Sequence, residues 1–474
     1  MVNTKNVIKR IPTIKKVTIN SFSNGVNGEI DEKLLNFTYA TTSYNFDYKN
    51  GALLGCEGVD YLTVNDKRYP FEEKVYPVKI YHYVKRDKVS RASDNRYIVY
   101  ASNKCFYSIK EKGCSEILKY ENLTMENAPE GLNYNFNGED VYILSKDGEG
   151  IIIINGDDFE DISLTPDVSS MSIHSERLFI TTNTDKHTLW FSDDFDPTNW
   201  QISLDKAGFI TLEDELGDML KVVSFSGQLY IFRSYGITQL TAYGFQEDFI
   251  VSNVSVSQGK IYKDTITNCG EYIIYLTENG LYRFNGAQSV KVLDNLDEYI
   301  SNKEKAFSCY LFGNFYLVSD MLFDKKVSQG VVVYNVKEKD CHILKGLNLK
   351  SITPIMSETS YILCAINNVN EICKITKSGK FLNKPLKKLW KSGKSDFQIE
   401  KKRKRLDKIS IDITGEITLK VFNEYTFKTY ILSGKGRKEV KPNLLGEEFS
   451  IEISTYYHTP KIVKPILYLS YFKE

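Results

Sequence analysis

The chain has 474 residues, and its 61 Lys and Arg are matched by 61 Asp and Glu, so the formal net charge is zero. That balance argues against a dedicated nucleic-acid binder, which needs a basic surplus to displace counterions, and gives no pull toward an anionic membrane. With 42% apolar and 26% charged residues the composition is that of a globular protein rather than a disordered one, and the length asks for two or three domains.

Tyr (32) and Phe (26) are abundant, and both favour strands because flat rings pack across a pleated surface. No apolar run approaches the ~20 residues that span a bilayer as a helix, so no membrane span is expected. The N-terminal MVNTKNVIKRIPTIKK is basic with no apolar core behind it and does not read as a secretory signal. The 8 Cys stand singly, at Cys56, Cys105, Cys114, Cys269, Cys309, Cys341, Cys364 and Cys373. They read as reduced core residues of a chain made in a cytosol, without CxxC pairs for zinc or redox work.

In chain order, residues 1–76 carry Gly25, Gly28, Gly51, Gly55 and Gly58 among short strand-like stretches. They read as an extended arm able to lend a strand that closes a ring. From 77 to 378 one unit recurs: an apolar strand, a short polar turn, and a second strand rich in aromatics. Clear copies are RYIVYASNKCFYSI (96–109), DVYILSKDGEGIIII (140–154) and YIIYLTENGLYRF (272–284). Asn279-Gly280 and Asp147-Gly148 supply the turn chemistry of tight hairpins.

Taking Tyr97, Tyr142, Phe179, Tyr230, Tyr275, Tyr316 and Tyr361 as equivalent gives spacings of 45, 37, 51, 45, 41 and 45. That period is the length of a propeller blade, which predicts an all-β chain with a β-propeller of about seven blades. Residues 379–407 read as a charged linker. Residues 408–474 hold five alternating strands and predict a small antiparallel β-sandwich or barrel. Within them 416–422 has the character of an exposed edge.

The most site-like stretch is 192–200, SDDFDPTNW. It resembles the Asp-box turn of sialidase-type propellers, with Asp196 near the position of that box's Gly. Ser192, Asp194, Asp196 and Trp200 are therefore assigned a structural turn, the side-chain oxygens capping backbone N–H groups and Trp200 packing between blades. The competing reading is calcium held by Asp193, Asp194 and Asp196, or by the acidic run 156–161. No His pair has ligand spacing, and Cys341 and His342 are adjacent, which on a strand sends them to opposite faces. No catalytic residue, cofactor or metal site is assigned, and the chain reads as a non-enzyme. The run Lys401, Lys402, Arg403, Lys404 and Arg405 is a candidate interface or DNA contact, against the alternative of a solvated linker.

Three stretches resemble virion structural proteins of tailed bacteriophages that carry a propeller. They are NSFSNGVNGEIDEKLLNFTYATTSYNFDYKNGALLGCEGVDYL (20–62), LWFSDDFDPTNW (189–200) with the following GITQL (236–240), and LWKSGKSDFQIEKKRKRLDKISIDITGEITLKVF (389–422). The resemblance implies a ring-forming or adaptor subunit of a tail, neck or nozzle, a homo-oligomer partnered with other virion proteins, assembled in the host cytoplasm. The alternatives are a propeller glycosidase or sialidase-like hydrolase, and a glycan- or receptor-binding protein at a tail tip.

Overall fold

The computed structural model describes residues 12–22, 26–27, 39–64, 67–69, 71–86, 93–110, 117–203, 206–357, 360–399 and 402–472. Among them the secondary structure is strand apart from three short 3-10 turns. No helix among the described residues is long and apolar enough to cross a membrane.

Seven antiparallel sheets follow one another as blades, spanning 77–124, 131–167, 170–211, 219–256, 267–292, 300–345 and 349–376. The first strand of each blade lies innermost. The alternation within the second strands explains the ring. In Ile273–Thr277 of blade five, Ile273 and Tyr275 join the apolar cluster shared with blade four, while Ile274 and Leu276 join the cluster shared with blade six. Similar two-faced packing runs around the ring, and Ile355, Cys364 and Ile366 of blade seven meet Ile80, Tyr97 and Val99 of blade one. Burying both faces of every blade on its neighbours is what a lone blade cannot do.

Blade seven is completed by the N-terminal segment. Gly58–Tyr61 pairs antiparallel with Ile372–Thr376, in the register Cys373 to Tyr61 and Thr376 to Gly58. Segments far apart in sequence thus close the ring. Gly58 is required by close approach: a Cβ there would fall 2.2 Å from the Lys380 carbonyl oxygen and 2.4 Å from the Lys380 nitrogen.

The remaining strands form one ten-stranded, nearly closed sheet. Its order is Ala40–Tyr44, Lys388–Ser392, Ser450–Thr455, Lys404–Phe422, Lys461–Tyr471, Ala52–Gly55 and Phe46–Lys49, with Thr13–Thr18 added on Lys461–Tyr471. The two end strands, Ala40–Tyr44 and Phe46–Lys49, are joined through the single residue Asn45, whose φ of 62° turns the chain sharply. The arm of 1–76 and the domain of 408–474 are therefore not separate bodies; they share a sheet and a core. That core runs without a break into blades five and six through Ile274, Leu276, Phe315, Phe323 and Tyr334.

Two further expectations are corrected. The stretch 379–407 is not a linker. It contains Lys388–Ser392, a central strand of the sheet, with Trp390 fully buried and edge-on to Phe22 at 5.0 Å. The 416–422 stretch is not an edge, because Thr418 pairs with Ile431 on one side and Ser454 on the other. An exposed edge is instead the neighbouring strand, Phe427–Val440.

Candidate functional site

A cleft of about 510 Å³ opens where the composite sheet meets blade six, lined by Asp47, Tyr48, Glu57, Asn335, Asp340, His342 and Lys377, among others. The strand pattern places these groups. In Phe46–Lys49, Phe46 and Tyr48 turn into the core, so Asp47 and Lys49 face the cleft. Glu57 stands one residue before the strand that closes the ring. His342 lies on Cys341–Lys345, the outer strand of blade six.

His342 Nε2 lies 2.7 Å from Glu57 Oε2, and its Nδ1 lies 3.8 Å from Asp47 Oδ1. Burial alone disfavours the imidazolium, but Glu57, Asp47 and Asp340 together outweigh it and raise the His342 pKa above its ordinary value. Burial likewise works against the Glu57 carboxylate, yet His342, backbone N–H and Lys377 bring its pKa down to about 2. Both ring nitrogens face carboxylates. A general base needs one nitrogen free toward a nucleophile, and the adjacent Cys341 thiol is held as the neutral form, its pKa raised to about 12 by burial and Asp340. The arrangement suits a charged clamp between ring and sheet rather than a catalytic dyad.

Asn45 supplies a second clamp beside it. Its backbone N–H donates to Ile343 O at 2.8 Å, its Nδ2 donates to Lys345 O at 3.0 Å and to Lys387 O at 2.7 Å, and its Oδ1 accepts from Lys345 N–H at 2.8 Å. The side-chain amide copies a strand's donor and acceptor, so hydrogen bonding of blade six continues into the composite sheet.

The 192–200 stretch forms a turn after Thr188–Phe191 of blade three. Ser192 is buried, and its Oγ accepts from Leu178 N–H at 3.0 Å and donates to Asp193 O at 2.9 Å. Asp196 Oδ1 accepts from Thr198 N–H at 2.9 Å and Thr198 Oγ1 at 2.6 Å. Asp194 is paired with Arg177 at 2.7 Å, and Asp193 accepts from Asn199 Nδ2 at 2.9 Å. Trp200 donates to Pro197 O at 2.8 Å and sits in the apolar cluster between blades two and three. Each carboxylate thus has a partner within the protein. The acidic run 156–161 is similar: Asp157 is paired with Arg96, and Asp161 lies 2.6 Å from Lys146 Nζ. No group of three or more metal-ligating side chains converges among the described residues.

Among its described residues the basic run does not form a continuous patch. Lys401 lies outside the described residues. Lys404 is fully buried and donates to Ile399 O at 2.9 Å and Lys402 O at 3.3 Å, so it is removed from the candidate interface. The strand alternation that begins at 404 forces this: Lys404 and Leu406 point inward, Arg403 and Arg405 outward. Arg405 pairs with Asp407 at 2.5 Å, Arg403 is exposed, and Lys402 is half-buried.

No family model matches the chain, and no curated protein matches it. Solved structures similar to it include BBS1N in complex with ARL6DN, at 9% identity over 67% of this chain and 95% of that one, with a TM-score of 0.42. Another is Raptor of Chaetomium thermophilum, at 9% identity over 68% of this chain and 29% of that one, TM-score 0.45. The extracellular domain of the putative hybrid two component system BT4673 from B. thetaiotaomicron matches at 10% identity over 85% of this chain and 58% of that one, TM-score 0.44. At these scores the likeness carries no argument about what the chain does.

Proposed function

We propose that this chain is a non-enzymatic structural subunit of a tailed-phage particle, a ring-forming or adaptor component of its tail or neck. The observation that carries the reading is the composite sheet. It is welded to blades five and six by a continuous core, and it presents a 14-residue edge strand, Phe427–Val440, hydrogen-bonded on one side only. A rigid body that presents a long edge strand is suited to joining copies by strand addition. Two of the three stretches that resemble phage proteins, 20–62 and 389–422, meet in this sheet, where Ala40–Tyr44 pairs with Lys388–Ser392.

In this reading the propeller works as a spacer and the composite sheet as the joint. The test is quantitative mass spectrometry of particles purified from a host carrying the gene, with antibody labelling to place the chain. A fixed stoichiometry at one location supports the proposal. Recovery of the chain only in the soluble fraction, with particles complete without it, overturns it.

A further inference from the structure

Blade two has an outer edge of one charge sign. Its outermost strand, Asp158–Asp167, holds Asp158, Glu160, Asp161 and Asp167 and no basic residue. The outermost strands of blades one and three to six, 117–124, 208–211, 250–256, 289–292 and 341–345, carry at most one acid each. Asp158–Asp167 is hydrogen-bonded to Glu149–Asn155 on one side and to no strand on the other among the described residues. The register decides which side chains share a face. Asn155 stands opposite Asp158, Ile153 opposite Glu160, and Phe136 opposite Glu139. Directly opposed residues point the same way, as do residues two apart on one strand. Phe136, Glu139, Val141, Ile153, Asp158 and Glu160 therefore stand on the face that blade two turns toward blade three. At the end of that face, beside the 136–139 and 155–158 turns, lies a cleft of about 370 Å³ lined by these six, among others, and by no Lys, Arg or His.

We propose that this edge and cleft form a docking site for an extended basic segment of a partner protein, which adds to Asp158–Asp167 as a fifth strand and places an Arg or Lys side chain in the cleft. Charge complementarity selects the occupant. Asp158 and Glu160 are exposed and make no ion pair or side-chain hydrogen bond among the described residues. Glu139 accepts from Asn155 Nδ2 at 2.6 Å, which orients its carboxylate. Cations around the outer strand are already engaged: Lys85 donates to Asn155 Oδ1 at 2.6 Å, Arg96 pairs with Asp157, Lys110 lies 3.6 Å from Asp157, and Lys146 lies 2.6 Å from Asp161. Among the apolar residues of the cleft, Val141 and Ile153 are buried and Phe136 is half-buried. Lys and Arg bury by laying the alkyl stem on such a surface while the charged head stays among polar groups. On an added strand, residues two apart would face Asp158 and Glu160. The residue between them would meet Phe159, which is 38% exposed on the opposite face with its ring 6.4 Å from that of Tyr120. The edge thus reads a basic, apolar, basic alternation. Its single charge sign also repels the identical edge of another copy, so it disfavours self-pairing while admitting a basic partner. The site lies apart from Phe427–Val440 and does not depend on it.

The experiment is fluorescence anisotropy of the full chain with the labelled peptide Ser-Arg-Val-Arg-Val-Arg-Ser at constant ionic strength. The isomer Ser-Arg-Arg-Arg-Val-Val-Ser carries the same charge without the alternation. Saturable binding of the first peptide near one per chain is expected, with the isomer about tenfold weaker or more. Asp158→Asn combined with Glu160→Gln should weaken binding about tenfold or more. Both side chains are exposed, so the double variant keeps the fold. Absence of saturable binding, equal binding of the two peptides, or a double variant that binds as the parent does overturns the proposal. Self-association of the parent that the double variant loses also overturns it, because the edge then belongs to a joint between copies.

Discussion

Glu57 and His342, 285 residues apart in the chain, form a partly buried ion pair at 2.7 Å that ties the ring-closing segment to blade six. The pair sets a pH window. The Glu57 pKa is depressed from 4.5 to about 2, so its stabilisation is complete above about pH 4.5 and is lost as the pH falls toward 2. The His342 pKa is raised above 6.5, so its stabilisation is complete below that value and is lost as the pH rises through the folded-state pKa. The junction should be tightest between about pH 4.5 and 6.5. Urea unfolding across pH 4 to 9 tests this, and His342→Ala should flatten the alkaline limb. That variant leaves two carboxylates facing each other across a cavity and should cost about 3 kcal/mol at pH 6. Equal stability of the two proteins at pH 6 would remove the clamp from the account.

Ring closure is tested at Gly58. An alanine Cβ would strike the Lys380 backbone, which cannot swing aside as a flexible side chain could. Gly58→Ala should destabilise the chain by about 1–3 kcal/mol and expose the Ile372–Thr376 strand to exchange. Hydrogen exchange resolved by mass spectrometry reads the effect; protection of that strand equal to the parent's would show that the clash is absorbed elsewhere.

The blade-three turn gives a second contrast. Arg177 is buried and donates to Ser192 O, Lys206 O and Asp194 at once. Arg177→Met should cost roughly 3 kcal/mol by leaving those acceptors unpaired. Because Asp193, Asp194 and Asp196 are already engaged, added calcium should leave the melting temperature unchanged. A calcium-dependent rise that vanishes in Asp194→Asn would establish the competing reading of the turn.

The propeller was legible because its signal is local. Hairpins repeat at a blade's length, and the seven aromatic positions taken as equivalent all fall on second strands. Six of them are buried, but Tyr361 is 41% exposed: it shares the face of Leu363 and Ala365 but sits at the start of Ser360–Asn367, where burial has not yet begun. The composite sheet was not legible as one body. Its strands come from both ends of the chain, and alternation fixes a strand's face but not its partner. Charge-rich composition hid Trp390 and Lys404, since a strand with a buried Lys reads like a linker until its neighbours are known. Glu57 with His342 carries no spacing signal at all; only closure of the ring brings the two together.

The last prediction concerns the free edge. Phe427–Val440 pairs along its length with Lys404–Phe422 and has no strand on its other side among the described residues. Its two halves differ. The second carries Gly434, Lys435, Gly436, Arg437 and Lys438, and charge of this kind blunts edge pairing. The first carries Phe427 at 56% and Ile431 at 72% exposure, beside Tyr425 at 81%. Self-association should therefore use the first half, where apolar side chains and unpaired backbone groups coincide. Phe427 and Ile431 lie on the outward face, so replacing both with Lys should leave the fold intact and weaken association at least tenfold, about 1.4 kcal/mol. Sedimentation velocity over a range of concentrations measures this. If the double variant associates as the parent does, the joint lies on another surface of the molecule, and the edge strand is a solvated end of the sheet.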